Sequence, residues 1–400
     1  MTSLVVPETG SVVHTLTAAE ARDLAQSGIV KVGPLLSEPG WWTVSARGKV
    51  GAARVGAIEL VIEPKLPIER LLFLLGYATD PTGWRDDDVH LGTASGLVPA
   101  VAQALWRQCE KALRPGPMQG YRTVDESSHV LRGRLRERDQ LRRHHGRPLP
   151  LEVRRDDFSI DVPENRILLA AITRMLTVPG IDTGSRCRLA ALRGRLVGVT
   201  PLPPGSRLPT WFPNRLNERY HLALRMAEIV WKVTSPEHTE GTTVTTGFLF
   251  DLAKVFEDFV TTAVGETLHS RHGGAARPQY PCHFDEACTV RMRPDLVWQH
   301  EGRPALVLDA KYKKDSPNED LYQVLAYCTV FQLHQGHLVY ARGDAEPRRH
   351  TVRHGGTNIT CHALDLERQP GELLSQVESL VAEMTAEAGV NTSSSSVTAG

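Results

Sequence analysis

Two acidic residues and a lysine lie in neighbouring segments that have the composition of buried strands. Asp309 and Lys311 follow the apolar run at residues 305–308, and residues two apart on a strand project to the same face. Asp295 lies upstream, near the end of the preceding strand-like segment at residues 288–298. If the two segments pair as antiparallel neighbours, both carboxylates can reach one point.

Such a pair of carboxylates suits a divalent cation. Two unpaired carboxylates about 4 Å apart repel by roughly 4 kcal/mol at an effective dielectric constant of 20, and a bound cation removes that cost. Hard oxygen ligands favour Mg²⁺ or Mn²⁺, and the carbonyl of Ala310 is a further candidate ligand. The cation would polarise a phosphodiester and lower the pKa of a bound water, and Lys311 would orient that water or stabilise the growing charge.

Three more residues extend the candidate site. Gln323 and Tyr327 are four apart on a predicted helix at residues 319–334, so they share a face. Glu257, on a helix predicted over 248–268, could complete the metal shell or orient its water, although taken alone it fits a solvated helix residue better. The Asp-x-Lys tripeptide is weak by itself, so the prediction of a nuclease site depends on the combination.

The elements that must position these residues form a small α/β core in the last third of the chain. The apolar spacing predicts the helix at 248–268, the two strands, the helix at 319–334, a strand at 336–342 and a helix at about 371–387. A Ser-rich polar segment follows and is expected to be disordered.

The first half of the chain has a different pattern. A β-rich unit is expected over 29–66, between a helix at 16–28 and helices at 68–77 and 98–116. Helices at 165–176, 187–196 and 215–232 then predict a helical layer.

A basic segment precedes that layer. Arg132, Arg134, Arg136 and Arg138 fall at every second position, so on an extended chain their guanidinium groups would point the same way. This pattern fits either a solvated strand face or an edge that contacts phosphates or a partner protein.

The composition excludes some classes of protein. The 400 residues are 41% apolar and 23% charged with a formal net charge of zero, as in a globular protein without a global basic field. No apolar run approaches the roughly 18 residues of a membrane span, so no membrane association is expected. The six cysteines lack a framework spacing, which indicates reduced thiols in a cytoplasmic protein.

The motifs together resemble a known nuclease family. Pro294-Asp295, Asp309-Ala310-Lys311 and Gln323-x-x-x-Tyr327 resemble the PD-(D/E)xK signature with the QxxxY helix of its RecB-like branch. More closely, FLFDLAKVFEDFV, RPDLV, LDAKYK and DLYQVLAY resemble the McrC family, the nuclease subunits of McrBC modification-dependent restriction systems. Upstream blocks such as VGAIELVIEPKL, GYRTVDESSHVLRGRLRERDQL and DDFSIDVPENRILLAAI are similar too. The resemblance covers most of residues 29–385.

The resemblance implies an α/β (α+β) protein with a β-rich partner-binding domain, a helical middle layer and a PD-(D/E)xK core. The expected division is a polar lead at 1–14, a McrB-interacting domain at 15–155, the layer at 156–235, the nuclease domain at 236–388 and a tail at 389–400. The implied partners are a hexameric McrB-like AAA+ GTPase, which this chain would stimulate, and double-stranded, methylated DNA. The chain has no G-x-x-x-x-G-K-[ST] loop, so no nucleotide is expected to bind to it.

Two alternatives remain open: a stand-alone RecB-like repair nuclease, and a non-catalytic adaptor that activates an AAA+ ring. A zinc site at Cys282, His283 and Cys288 is not favoured, because the spacing matches no C-x₂₋₄-C pair and no second half-site is evident.

Overall fold

A computed structural model describes residues 2–81, 96–145, 147–203, 205–233, 245–313, 318–341 and 346–387. The chain divides into two compact units. One contains residues 1–97 together with 237–400, and the other contains residues 98–236. The two ends of the chain therefore belong to the same unit, and the functional domain division expected from the sequence stays a prediction.

The elements are numbered here in chain order over the described residues. The strands are β1 (Thr2–Pro7), β2 (Ser11–Thr15), β3 (Val30–Pro34), β4 (Trp41–Ala46), β5 (Lys49–Val55), β6 (Ile58–Glu63), β7 (Gly120–Ser128), β8 (Arg134–Leu135), β9 (Leu151–Ser159), β10 (Thr245–Asp251), β11 (Ala275–Pro278), β12 (Cys282–His283), β13 (Arg291–Met292), β14 (Leu296–His300), β15 (Arg303–Lys311), β16 (Gln335–Ala341), β17 (Arg348–Thr351) and β18 (Asn358–Leu364). The α-helices are α1 (Ala18–Gln26), α2 (Ile68–Thr79), α3 (Leu97–Leu113), α4 (Glu137–His144), α5 (Pro163–Thr177), α6 (Thr183–Arg195), α7 (His221–Val233), α8 (Leu252–His272), α9 (Asn318–Phe331) and α10 (Pro370–Glu387).

A six-stranded mixed sheet forms the core of the unit built from both ends of the chain. Its order is β11-β14-β15-β16-β18-β17. β14 and β15 pair antiparallel, as the sequence predicts, whereas β15, β16 and β18 run parallel to one another. Helix α9 packs on this sheet through Val324 and Cys328, which share a buried cluster with Val307 and Leu338. The mixture of helices and sheets confirms the predicted α/β (α+β) class.

A second sheet in the same unit has the order β1-β6-β5-β10. β1 runs parallel to β6, with Leu4 and Val6 buried, so the prediction of a polar lead over residues 1–14 is wrong. Residues 1–14 contain β1 and most of β2, and each strand is too short to give a clear alternation of apolar residues.

β10 connects this second sheet to the helix that carries Glu257. The predicted helix over 248–268 begins later than expected, because β10 pairs with β5 as far as Asp251. Phe248 and Phe250, two residues apart on β10, are both buried. The side chain of Asp251 then accepts hydrogen bonds from the backbone N–H groups of residues 253 and 254. This N-cap fixes where α8 begins.

The unit formed by residues 98–236 combines a three-stranded sheet, in the order β7-β9-β8, with α3 to α7. The fully buried Asn165 on α5 organises its interior. Its Nδ2 donates to the carbonyls of Met118 and Ile160, at 2.8 and 2.7 Å, and its Oδ1 accepts from the Tyr220 hydroxyl at 3.0 Å. Since a buried amide must satisfy its donors and acceptor, this network fixes α5 against the segments around it.

Two further findings concern the chain ends and membranes. The predicted tail at 389–400 lies outside the described residues. Among the described helices, none has the length and apolar character needed to cross a bilayer.

Candidate active site

The pairing of β14 with β15 places the two predicted aspartates opposite each other. The last pair of this ladder joins Leu296 to Leu308, so Asp295 and Asp309 occupy the next position of the same register. Directly opposite residues of an antiparallel pair have side chains on the same face. Asp295 is 8% exposed and Asp309 is 1% exposed, so two carboxylates meet at the buried end of the ladder.

Both carboxylate oxygens of Asp295 accept hydrogen bonds. Oδ2 accepts from the backbone N–H of Ala310 at 2.8 Å, and Oδ1 accepts from the side-chain amide of Gln279 at 3.0 Å. Burial, followed by the charge of Asp309, raises the pKa of Asp295 to about 7, although the Ala310 N–H opposes this shift. The site therefore resists holding both carboxylates ionised without a cation.

Lys311 supplies a positive charge to this pair. Its Nζ forms an ion pair with Asp309 Oδ2, which is buried and has no other hydrogen-bond partner within the described residues. Burial lowers the pKa of Lys311, but the charge and hydrogen bond of Asp309 together with the charges of Asp295 and Asp320 more than offset this, so the net shift of the pKa is upward. Lys311 is thus held as an ammonium beside the two aspartates.

Ala310 lies between these two residues on β15. Its N–H points to Asp295 rather than to another strand. In a strand the N–H and C=O of one residue point to the same side, so we expect its carbonyl to face the same opening beyond the end of β14. Ala310 thus stays a candidate oxygen ligand, as predicted from the sequence.

Glu257 on α8 reaches the site indirectly. The amide nitrogen of Gln279 donates to Glu257 Oε1 as well as to Asp295, so it connects the two carboxylates. The same oxygen of Glu257 lies 2.8 Å from Lys254 Nζ. Glu257 is therefore not a freely solvated helix residue, because Gln279 links it to Asp295.

The predicted pair on α9 is also beside the aspartates. Gln323 donates from Nε2 to the hydroxyl of Tyr327 at 2.7 Å. Tyr327 is buried, and its pKa is raised by burial and then by the charge of Asp309. The tyrosine is thus close enough to Asp309 for the two groups to interact, and its hydroxyl stays protonated.

A polar group next to the site gave no signal in the sequence. Asp320 on α9 is buried, and its carboxylate accepts from Lys313 Nζ and from the Tyr340 hydroxyl, both at 2.9 Å. Lys313 lies two residues beyond Lys311. These bonds fasten the start of α9 to β16 and to the segment that follows β15.

The oxygen donors fit a hard divalent cation. Asp309 Oδ2 is a buried acceptor with only the Lys311 ion pair, and Asp295 has an elevated pKa because two carboxylates share one buried place. Within the described residues, however, no three His, Cys, Asp or Glu side chains converge on one point. The side chains that fit as metal ligands are thus those of Asp295 and Asp309, together with the backbone carbonyl of Ala310. Glu257 is linked to them through the side-chain amide of Gln279.

The arginines predicted to line one extended face are arranged differently. Only Arg134 lies in a strand, the two-residue β8, and Arg138 is in the first turn of α4. Arg136 precedes α4 and forms ion pairs with Asp125, at 3.3 Å, and with Asp139. The prediction of a continuous extended face is wrong, because the chain turns into a helix whose acidic first turn and basic last turn suit the helix dipole.

Three of these arginines nevertheless remain exposed: Arg132, Arg134 and Arg138. Their contact with DNA or a partner stays a prediction. The segment with Cys282, His283 and Cys288 forms the short β12–β13 hairpin, and it belongs to no metal-ligating group of the described residues.

Comparisons with known proteins find one matching family and similar solved structures. The family model described as "McrBC 5-methylcytosine restriction system component" matches residues 44–341, well over half of the chain. The fold is similar to a chain in the refined half-complex of the tetradecameric assembly of Thermococcus gammatolerans McrB AAA+ hexamers with bound McrC, with a TM-score of 0.62 and 18% identity. That match covers 96% of this chain and 100% of the other.

A second structure, the cryo-EM structure of the Thermococcus gammatolerans McrBC complex, matches with a TM-score of 0.41 and 19% identity, over 67% of this chain and 88% of that one. No curated protein matches the sequence.

Proposed function

The chain belongs to the family of McrBC 5-methylcytosine restriction system components, and from this premise we propose that it is the nuclease subunit of such a system. It cuts DNA with a divalent cation, Mg²⁺ or Mn²⁺, that Asp295 and Asp309 hold. The observation that carries this proposal is the buried carboxylate pair with Lys311 beside it.

Each residue of the site has a chemical task in this proposal. Asp295 and Asp309, with the carbonyl of Ala310, bind the cation through hard oxygen atoms. A cation held by these atoms would supply polarisation of the scissile phosphate and a lower pKa for a bound water molecule. The ammonium of Lys311 orients the attacking water or stabilises the negative charge that develops on the phosphate. Tyr327 remains a neutral hydroxyl that Gln323 orients beside Asp309.

The carboxylate pair favours a nuclease over a non-catalytic adaptor. Burying two like charges side by side costs free energy, and an apolar pair of similar volume would avoid that cost. An adaptor would gain nothing from such a pair, whereas a metal-dependent enzyme requires it. The arrangement is therefore best explained by catalysis.

The proposed partner is a McrB-like AAA+ GTPase hexamer, which the chain stimulates. The fold likeness to the Thermococcus complex covers nearly the whole of both chains and supports this partner. The 400 residues contain no G-x-x-x-x-G-K-[ST] loop, in keeping with a motor on a separate polypeptide. The exposed residues Arg132, Arg134 and Arg138 are candidates for contacts to that partner or to the phosphates of double-stranded, methylated DNA in the cytoplasm.

The proposal is tested by co-expressing the chain with a McrB-like AAA+ GTPase and then assaying cleavage of methylated and unmethylated DNA. We expect co-purification and Mg²⁺-dependent, GTP-dependent cleavage of the methylated DNA alone. Cleavage without the partner would instead identify a stand-alone nuclease. Stimulated GTP hydrolysis without any cleavage would identify an adaptor and would overturn the proposal.

A further inference from the structure

Gln279 occupies the space between two carboxylates of the site. Its single amide nitrogen donates to Glu257 Oε1 and, at 3.0 Å, to Asp295 Oδ1. An amide NH₂ has two hydrogens, so one neutral group can satisfy both acceptors. Among the candidate site residues inferred from the sequence, Gln279 is absent, because a lone glutamine after a short strand carries no recognisable motif.

The backbone around Gln279 holds its side chain in place. Its N–H donates to the carbonyl of Asp295 at 2.9 Å, and its own carbonyl accepts from Arg293 Nε at 3.2 Å. The next residue, Tyr280, donates to the carbonyl of Pro294 at 3.2 Å. Gln279 also has a positive φ of 50°, which a residue without local stabilisation rarely adopts. The amide is thus fixed to the same segment that carries Asp295.

The position of this amide limits where a cation can bind. Two carboxylates that face a common point attract a divalent cation, but the nitrogen of Gln279 already lies between Glu257 and Asp295. Asp295 Oδ2 is oriented separately by the N–H of Ala310. Each carboxylate oxygen has two lone pairs, so both oxygens of Asp295 keep a free lone pair for a cation shared with Asp309.

We propose that Gln279 is a positioning residue that orients Asp295 and, by filling the gap to Glu257, restricts the site to one divalent cation. This inference rests on the proposed function, because it concerns the same cation site. It assigns Glu257 to the support of Asp295 through Gln279, and not to direct ligation of the metal.

The role of Gln279 is tested by measuring how many Mn²⁺ ions the chain binds without DNA, and how tightly. Isothermal titration calorimetry and electron paramagnetic resonance give both quantities. The wild-type chain should bind one ion. In Gln279→Glu the amide donor becomes a carboxylate beside Glu257 and Asp295, so a second ion should bind between Glu257 and residue 279. Gln279→Ala empties the gap between Glu257 and Asp295, so it should also admit a second ion. The ion held by Asp295 and Asp309 should bind about 10- to 100-fold more weakly, as when an oriented ligand loses its outer partner.

A matched control separates this effect from a simple change of charge. Gln332 also has a positive φ, of 56°, and is exposed, so Gln332→Glu adds the same charge outside the site. We expect this control to bind one ion with unchanged affinity. Circular dichroism and the thermal midpoint without metal show that each variant is folded.

The possible failures are distinguishable. If wild type binds one ion and both Gln279 variants match it in stoichiometry and affinity, the inference on Gln279 is overturned while the metal site stands. Two ions bound by wild type would also overturn it. If wild type binds no Mn²⁺, the proposed function itself fails, and the inference fails with it.

Discussion

Replacing Asp309 with asparagine removes one charge from the candidate site at nearly constant volume. Asp309 is only 1% exposed, so its attraction for a cation is weakly screened by salt. Even a pair of unit charges about 4 Å apart at an effective dielectric constant of 20 contributes about 4 kcal/mol, or roughly three powers of ten in binding, and this is a lower bound for a divalent cation. We therefore expect Asp309→Asn to require on the order of a thousandfold more Mg²⁺, and to lose cleavage by a similar factor at a fixed Mg²⁺ concentration.

The assay is a Mg²⁺ titration of plasmid cleavage with the AAA+ partner and GTP present. GTP hydrolysis is measured in the same tubes, and it should stay at the wild-type stimulated rate, because the substitution leaves the surface of the protein unchanged. Asp258→Asn is the matched control, since Asp258 lies on α8 next to Glu257 with its side chain 49% exposed. If Asp309→Asn cleaved within tenfold of wild type at the same Mg²⁺ concentration, the reasoning would be refuted.

Two further predictions concern the sheet that carries the site. Gly336→Ala should lower the free energy of unfolding by about 1–3 kcal/mol, because a Cβ there would overlap the Val324 side chain on α9. A denaturant titration measures this change. An unchanged midpoint would contradict the prediction and would mean that α9 can move to make room. Burial, and for His337 also the adjacent His362, lowers the pKa values of His337 and His362 to about 3 and about 4 from 6.5, while the Glu383 carboxylate lies 3.7 Å from His362. Below pH 6.5 these histidines bind protons in the unfolded chain but not in the folded chain, so the free energy of unfolding falls as the pH drops toward 4. Between pH 6.5 and 4.5, His362→Gln should therefore lose about 2 to 3 kcal/mol less of this free energy than wild type does. Equal losses in denaturant titrations at the two pH values would contradict this.

The parts of the site that local patterns encode were predictable. Asp309 and Lys311 follow an unbroken apolar run, and Gln323 and Tyr327 have the spacing of one helix face. The antiparallel pairing of β14 and β15, which the sequence prediction took as a condition, is the arrangement that their short separation along the chain favours. Each of these inferences needs only neighbouring residues.

The features that the sequence did not predict depend on partners far along the chain. β10 is a strand because β5, about two hundred residues earlier, pairs with it, while Phe248 and Phe250 fit helical spacing equally well. Gln279 matters only through Glu257 and Asp295, on two other elements. No local periodicity carries such information.

The arginine pattern shows the opposite error. Alternating residues predicted an extended face from Arg132 to Arg138, but a two-residue strand ends at Leu135 and α4 begins at Glu137. The acidic residues at the start of α4 and the basic residues at its end were the stronger signal, because they match the helix dipole.

The most direct test of the cation site is the anomalous scattering of Mn²⁺ in crystals of the protein grown with that ion. We predict a single anomalous peak, coordinated by oxygen atoms of both Asp295 and Asp309. A map without a peak at these two residues, at an Mn²⁺ concentration that supports cleavage, would contradict the account.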